Sequence, residues 1–327
     1  MLWINIRILP LDIWRGIKEA MDQYTKKAIV LALITAAISG FAVFINKFGV
    51  ALWADSASYT TAKNIVAAIF LTGLVIGLKK LPELLRLPRT IWIKLVLIGF
   101  IGGSVPFLLF FKSLTMLPAS EAAFIHKTLF LWVALFALPF LKERLSIVQF
   151  LALGVLFAGI FLSTTPNKWV LSTGIVFAFA ATVLWAIENI IAKMVLKDIS
   201  PIIVGWARMF LGSLFLLGYL AISGGLINLI PSSASQAGWA FLVGIVLFGY
   251  VVTWYSALKH APATVVSSVL VIAAPITALL DAAFVSHSFP NNILVPLAFM
   301  VLGVALVSRL LEQYYAAIIP WHRTARA

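Results

Sequence analysis

The chain has no cysteine among its 327 residues, which excludes disulfide bonds, iron–sulfur clusters and thiolate metal sites. Charged residues are also scarce, at 11% of the chain against about 25% in soluble domains. Hydrophobic residues make up 63%, against about 45–50% in soluble domains. A soluble fold could not bury this much apolar surface. The composition therefore places the chain in a lipid bilayer.

Acidic residues are few, because 11 Asp and Glu stand against 24 Lys and Arg and leave a net charge of +13. A charge of this size would also suit a nucleic-acid binder. Most of the basic residues, however, fall in short connections between apolar runs, as membrane topology requires. We therefore expect the bilayer, and no nucleic acid, as the partner of these charges.

Sequence motifs of ATP hydrolysis and of catalysis are missing as well. No Gly-rich loop ending in Gly-Lys-Ser/Thr occurs, so ATP does not drive the protein directly. The four histidines are scattered, and no Asp-Asp pair or serine–histidine constellation is present. A membrane-embedded enzyme is thus disfavoured, and we expect no catalytic residue, metal site or cofactor.

Ten apolar runs follow residue 27, each near the ~20 residues that cross the hydrocarbon layer. The predicted spans are 28–50, 56–78, 93–116, 120–141, 146–164, 171–195, 202–223, 238–259, 264–286 and 291–311. The class expected is an all-α membrane protein with ten transmembrane helices.

An internal duplication relates the two halves. The stretch 112–160 recurs 144 residues later, so that Pro118 corresponds to Pro262 and Gly159 to Gly303. A fixed offset over this length indicates a repeat. Each half holds five spans, and since five is odd the second half starts on the opposite side of the membrane. The sequence therefore predicts two inverted five-helix repeats, which place a substrate site near mid-membrane between them.

The domain limits follow from the spans. The first repeat is predicted at 28–164 and the second at 171–311, with a cytoplasmic basic tail at 312–327. Residues 1–27 form an amphipathic segment, expected either as an interfacial helix or as a mobile tail. Connections on one side of the membrane hold 17 Lys and Arg, whereas those on the other side hold Lys168 alone. The positive-inside rule then puts both termini in the cytoplasm, and we expect the protein in the plasma (inner) membrane.

Six basic residues fall within the predicted spans, namely Lys47, Lys63, Lys112, Lys127, Lys193 and Arg208. Each costs about 2.5–3.5 kcal/mol at a span centre unless a wet cavity, a partner or snorkelling offsets it. Across the duplication Lys47 corresponds to Lys193, and Lys63 to Arg208. Such charges predict a hydrated substrate pathway, which a duplicated scaffold protein would not need.

Candidate substrate-binding residues are Lys63, Lys112, Lys127, Arg208, Tyr255 and Phe130. Lys127 is expected either to contact substrate or to pair with an aspartate of the ninth span, Asp281. Lys112 lies close enough to the membrane surface to snorkel instead.

Three further side chains are candidates for coupling or ion pairing. Glu188 could pair with Arg208 or serve proton coupling, and Asp281 is a candidate partner for a lysine. His126 is either a coupling group or a hydrogen-bonded structural histidine.

A hinge is predicted in the third span, where Gly102-Gly103 is followed by Pro106. Glycine frees the backbone and proline removes a hydrogen bond of the helix, which suits a gating element. A plain packing kink would leave the same pattern.

With ten spans and inverted halves in hand, the chain resembles the drug/metabolite transporter superfamily, in particular its EamA-type ten-helix carriers, over about residues 28–310. The most specific mark is the run LKERLS at 141–146, which is similar to the "LxERLS" that closes the family's fourth helix. Matching positions elsewhere are Lys47, Lys63, Gly154, Gly159, Arg208, Pro275 and Gly303.

Some positions depart from the family pattern. Ser39-Gly40 stands where the family often has Trp-Gly, Leu131 replaces the proline of the fourth helix, and His287 is the counterpart of Glu143. Glu143 itself is expected in an interfacial ion pair. The resemblance implies a carrier of amino acids, sugars, nucleotide-sugars or phosphorylated metabolites.

The function expected from the resemblance is a secondary active transporter that exports a small polar, amino-acid-like or carboxylate-bearing metabolite by alternating access. The alternative within carriers is an antiporter of phosphorylated or nucleotide-linked metabolites. The expected partners are a small-molecule substrate, the lipid bilayer, and a proton or counter-substrate.

Overall fold

The computed structural model describes residues 11–117, 119–163, 172–287 and 294–308, with side chains over 26–117, 121–163, 172–287 and 294–308. Within these ranges all regular structure is helical. Eight helices are long and apolar enough to cross a membrane, and two shorter apolar helices, Ile147–Ser163 and Leu294–Ser308, complete a set of ten. The predicted all-α membrane fold is confirmed.

Three of the ten spans are interrupted. In chain order the spans are Leu11–Ala51; Ser56–Gly77; Arg89–Gly103 with Val105–Ser113; Ala119–Lys127 with Leu129–Phe140; Ile147–Ser163; Thr173–Val195; Pro201–Ser223; Ala234–His260; Ala263–Val269 with Ala273–Asp281; and Leu294–Ser308. A 3₁₀ turn at Leu270–Ile272 joins the halves of the ninth span, and the short helix Leu81–Leu85 lies between the second and third spans.

Local sequence explains several helix ends. The Asp55 carboxylate accepts a hydrogen bond from the Ser58 N–H at 2.7 Å and caps the second span. Ser233 caps the eighth span in the same way. The seventh span begins at Pro201 and ends before Gly224, whose φ of 73° is the left-handed conformation that glycine adopts most readily.

The fifth and tenth spans pack in a symmetric pair of contacts. A Cβ on Gly159 would lie 2.9 Å from Met300, and a Cβ on Gly303 would lie 2.5 Å from Leu156. Across the duplication Gly159 corresponds to Gly303 and Leu156 to Met300, so each contact repeats the other with the halves exchanged. The residue numbers of the two contacts increase in opposite directions along the two helices, so the helices are antiparallel. The predicted inversion of the two five-helix repeats is confirmed.

The first span is one continuous helix from Leu11 to Ala51. At 1.5 Å per residue its 41 residues exceed the ~30 Å hydrocarbon layer, so the helix extends beyond it. The side chains before residue 26 and the predicted tail at 312–327 lie outside the described ranges. The interfacial role of residues 1–27 stays a prediction.

Candidate functional site

A break in the third span organises the site. The helix is interrupted at Ser104 (φ −130°, ψ −76°), directly after Gly102-Gly103. Pro106 has no N–H, so it cannot donate to the Gly102 carbonyl four residues earlier. The Gly-Gly-Pro pattern thus coincides with a real interruption of the helix, as either a hinge or a packing kink would produce, and the interruption presents free carbonyl groups inside the bundle.

The freed carbonyls bind side chains of neighbouring spans. The Gly102 oxygen accepts hydrogen bonds from Trp185 Nε1 at 3.0 Å and from Arg208 Nε at 3.2 Å. The Gly103 oxygen accepts one from Asn64 Nδ2 at 3.2 Å. Side chains of the second, sixth and seventh spans thus all form hydrogen bonds to the break in the third span.

Arg208 also belongs to a buried polar cluster with Glu188 and Tyr255. Its Nη1 lies 3.7 Å from Glu188 Oε2 and donates to the Tyr255 hydroxyl at 3.4 Å. That hydroxyl donates in turn to Glu188 Oε1 at 2.5 Å. Glu188 Oε2 accepts no hydrogen bond within the described part of the chain. The pairing of Glu188 with Arg208 is therefore present, and one carboxylate oxygen keeps an open acceptor position.

Lys63 approaches the same place from the second span. Its ammonium lies 4.6 Å from the ring centroid of Phe107 and 4.8 Å from that of Phe111, within cation–π range. A hydrogen bond to Asn64 Oδ1 is long, at 3.4 Å. The residue is only 2% exposed. This cation is held mainly by aromatic faces, so it can still donate to an anionic ligand.

These side chains surround a central cavity of about 120 Å³. Its walls come from seven spans, and its polar or charged members are Ser39, Asn46, Lys63, His126, Asn189 and Arg208. Its aromatic members are Phe107, Phe110, Phe111, Trp185, Tyr250 and Trp254. Two cations and no carboxylate appear among the described wall residues, with Glu188 behind Arg208. The cavity is suited to a small ligand that carries an anionic group.

The sequence profile of the EamA-like transporter family matches residues 26–165 and again residues 172–309, one match for each repeat. The chain belongs to the EamA-like transporter family.

Individual relatives of this EamA-like transporter agree with that membership. An uncharacterized transporter of Haemophilus influenzae is 30% identical over 186 residues, which cover 54% of this chain and 59% of that protein. An uncharacterized transporter of Archaeoglobus fulgidus is 28% identical over 78% of this chain and 88% of its own length. A crystal structure of another protein superposes with a TM-score of 0.65 over 90% of this chain and 99% of its own, and at 18% identity it shows the fold alone. The chain is an integral membrane transporter.

The structure brings five of the nine predicted site residues together. Lys63, Arg208 and His126 line the cavity, and Glu188 and Tyr255 contact Arg208 directly behind its wall. The imidazole of His126 lies beside two aromatic rings. Its ring centroid is 4.8 Å from that of the Trp185 ring and 5.2 Å from that of the Phe110 ring. Its Nδ1 has no hydrogen-bond partner among the described residues.

The remaining predicted residues lie elsewhere. Phe130 is fully buried in the hydrophobic core, away from the cavity walls. Lys112 is exposed in a separate groove beside Asp55 and Tyr219, consistent with snorkelling. Neither side chain reaches the cavity because the third and fourth spans turn these positions to other helix faces.

The predicted pairing of Lys127 with Asp281 is not formed. Asp281 pairs with Lys47 near the end of the first span. Lys127 is 5% exposed, and its ammonium has no hydrogen-bond partner among the described residues. The fourth span packs through Leu129–Phe140 against Ala263–Val269 of the ninth, which is not the part of the ninth span that carries Asp281, so this charge pattern could not be resolved without the packing.

Asn46 and Asn189 line the cavity although the sequence did not single them out. Asn189 accepts from Trp254 Nε1 at 2.9 Å, and Asn46 accepts from the Tyr59 hydroxyl at 2.9 Å. Both asparagines lie next to a charged residue within an apolar span, and that signal could have found them.

Proposed function

We propose that this EamA-like transporter is a secondary active carrier that exports a small, carboxylate-bearing metabolite of the amino-acid type by alternating access at the repeat interface. One observation carries the proposal. Lys63 and Arg208, at corresponding positions of the two repeats, contribute to the walls of one cavity. A site between inverted repeats is the arrangement that exposes one ligand to either side in turn.

The substrate carboxylate is proposed to bind between Lys63 and Arg208. Charge-assisted hydrogen bonds are the strong ones, and an arginine can hold a carboxylate through two of them. The amide oxygens of Asn46 and Asn189 offer acceptors for an amino group. The aromatic rings of the wall supply faces for a cation or an apolar side chain.

Cavity size favours a small substrate over a nucleotide-linked one. The volume of about 120 Å³ lies below the ~300 Å³ at which pockets for drug-sized ligands begin. An amino-acid-sized molecule is therefore the first candidate.

Lys127 favours the second candidate, an antiporter of phosphorylated metabolites. Its ammonium is buried without a hydrogen-bond partner among the described residues, next in sequence to His126 of the cavity wall. A third cation would suit a group with two negative charges. Counterflow separates the two candidates, because liposomes preloaded with inorganic phosphate should accelerate uptake only in an antiporter of this kind.

Glu188 is the proposed coupling residue. A substrate carboxylate competes with Glu188 for Arg208, and a buried carboxylate that loses its cation takes up a proton. Binding of substrate and of proton then reinforce each other, so the two should move in the same direction. Export would occur when the internal metabolite level exceeds the limit set by the proton gradient.

Proteoliposomes loaded with a pH indicator test the coupling. Efflux of a carboxylate-bearing amino acid should carry protons outward in the wild type. Glu188→Gln should keep substrate exchange but lose the proton movement. Proton flow opposite to the substrate would contradict this coupling.

Thermal unfolding with added ligands tests the charge assignment. Anionic amino acids should stabilise the wild type more than neutral analogues of the same size, and Arg208→Ala should abolish the difference. Equal stabilisation by both classes would refute the proposed anion site. A scaffold role, in contrast, predicts that Lys127→Ala and Arg208→Ala leave function intact.

We also place the protein in the inner (plasma) membrane with both termini cytoplasmic. The charge asymmetry of the connections supports this orientation. A reporter domain that is active only in the cytoplasm should be active when it is fused to either terminus, and one that is active only outside the cytoplasm should be inactive at both.

A further inference from the structure

A lysine fastens the corner between the eighth and ninth spans. Pro262 has no N–H, so the Leu258 carbonyl lacks its usual helical donor. Lys193 Nζ donates to this oxygen at 2.6 Å and to the Ala261 oxygen at 2.7 Å. An ammonium at the carboxyl end of a helix is also favoured by the helix dipole.

A glutamate holds the same corner from its other side. Glu143 Oε1 accepts from the Ala263 N–H at 2.7 Å, and Oε2 from the Thr264 N–H at 3.3 Å. Glu143 thus caps the start of the ninth span, and its predicted interfacial ion pair stays a prediction. Lys193 and Thr264 are both buried. We call this end of the molecule the Lys193 face, and it is closed.

The equivalent lysine at the opposite end has a different partner. Lys47 corresponds to Lys193 in the other repeat, and it pairs with Asp281. The side chains of this pair are 36% and 43% exposed. We call this end the Lys47 face. Its own corner, between the third and fourth spans, carries Leu114 and Pro118, the counterparts of Leu258 and Pro262.

We infer that Lys47 and Lys193 are alternating closing residues, each binding the carbonyl groups of its own corner only when its face is shut. Inverted repeats exchange conformations as access alternates. In the state closed at the Lys47 face, Lys47 leaves Asp281 and donates to the Leu114 and Leu117 carbonyls, while Lys193 releases its corner. Asp281 holds Lys47 away from that corner in the state described here. The inference rests on the proposed alternating access.

The two faces also differ in their caps. Glu143 has His287 as its counterpart, and a histidine lacks the two acceptor oxygens that bind adjacent N–H groups. Closure of the Lys193 face therefore has additional contacts. The resting protein should favour the state closed at this face.

Two single-cysteine variants can report how accessible each face is to a reagent, because the chain has no cysteine of its own. Thr264→Cys lies beneath Glu143, and the Thr264 hydroxyl has no hydrogen-bond partner among the described residues, so its loss removes no bond. Ala42→Cys lies in the cavity wall on the first span, five residues before Lys47. The rate of reaction with a small maleimide is measured for each in lipid nanodiscs.

Substitutions of the Lys47–Asp281 pair give the decisive comparison. Lys47→Met removes the group that closes the Lys47 face, so Thr264→Cys should react more slowly. Asp281→Asn frees Lys47 for its corner, so Thr264→Cys should react about tenfold faster and Ala42→Cys more slowly. A pair with a purely structural role predicts the same direction for both variants, and that result would overturn the inference.

Lys193→Met should act like Asp281→Asn, because it releases the closed face. Lys259→Met is the matched control on that face, since Lys259 Nζ donates to the Ile199 oxygen at 2.9 Å and not to the corner. It should leave both reporters unchanged. If no variant moves the two reporters in opposite senses, alternating access itself fails. If the two reporters do respond in opposite senses but Lys47→Met and Asp281→Asn shift them in the same direction, alternating access stands and only the proposed role of Lys47 and Lys193 as closing residues fails.

Discussion

The buried cations of the site differ in how their charge is balanced. Arg208 has the Gly102 carbonyl, the Tyr255 hydroxyl and the Glu188 carboxylate around it. Lys63 has aromatic faces and one amide oxygen instead, and it forms no ion pair among the described residues. A buried charge without a counter-charge is costly, so its retention is explained best by a ligand that supplies the missing negative charge.

Replacing Lys63 by methionine should therefore separate stability from function. The variant loses an unpaired ammonium, so its thermal unfolding temperature should stay the same or rise. Its affinity for anionic amino acids should fall about tenfold or more, because a hydrogen bond to a charged group contributes ~1.5–3 kcal/mol. Lys112→Met removes an exposed charge and serves as control. Equal affinities in both variants would argue against a ligand at Lys63.

Glu83 provides a pH-dependent contact outside the spans. Its carboxylate accepts from Lys80 Nζ at 2.9 Å and from the Ser200 N–H at 2.8 Å. Burial alone would raise its pKa, but these hydrogen bonds outweigh burial, so its pKa lies below the usual 4.5. A carboxyl group whose pKa is lowered by folding stabilises the fold at pH values above its pKa in the unfolded chain. This stabilisation disappears as the pH falls through its pKa in the folded protein.

The Glu83→Gln variant should lack this pH-dependent stabilisation. At pH 7 it should unfold at a lower temperature, by a free-energy loss of about 1 kcal/mol. The difference from wild type should shrink as the pH is lowered below 4.5. A difference that is constant with pH would show that the charge of Glu83 contributes nothing.

At the scale of single elements, the third span matters because it is broken. A continuous helix would satisfy its own carbonyl groups and offer nothing to Trp185, Arg208 or Asn64. The proline at position 106 leaves the Gly102 carbonyl free, and the small residues before it let the seventh span approach. A Cβ on Gly212 would lie 2.7 Å from the Gly103 backbone.

Pro106→Ala should repair the helix at the expense of the site. The new N–H can donate to the Gly102 carbonyl and compete with Arg208 Nε for it. We expect unchanged or higher thermal stability and about tenfold weaker binding of anionic amino acids. Pro139→Ala, at a proline inside the fourth span, should leave binding unchanged. Wild-type affinity in Pro106→Ala would contradict a role for the break.

At the scale of the whole molecule, the pseudo-two-fold relation between repeats is visible in contacts that come in equivalent pairs. The fifth and tenth spans show it most clearly, at Gly159 and Gly303. Because Met300 and Leu156 correspond as well, the two glycines face equivalent neighbours.

Alanine at either glycine should be destabilising, and by similar amounts. The added methyl groups would press on Met300 and on Leu156, and overpacking costs about 1–3 kcal/mol. Gly154→Ala is the control, since nothing lies within 4 Å of a Cβ there, and alanine should stabilise that helix by ~0.5–1 kcal/mol. Unfolding curves in detergent measure all three. Unequal losses at Gly159 and Gly303 would mean that the symmetric contacts differ in energy.

The sequence by itself determined the class, the ten spans and the duplication, because the length of an apolar run and a fixed repeat offset are visible along the chain without any knowledge of how the helices pack. It also located the break near Gly102-Gly103 and the cations Lys63 and Arg208, because charges and prolines in apolar runs stand out without any packing. The inversion followed from the odd number of spans.

Only the tertiary structure decided which charges meet. Asp281 pairs with Lys47 instead of Lys127, Phe130 enters the core, and Glu143 caps the ninth span. Such pairings depend on the rotation and crossing of helices far apart in sequence. The periodic pattern of one helix sets which residues share a face, whereas the neighbour of that face is set by how all ten helices pack together.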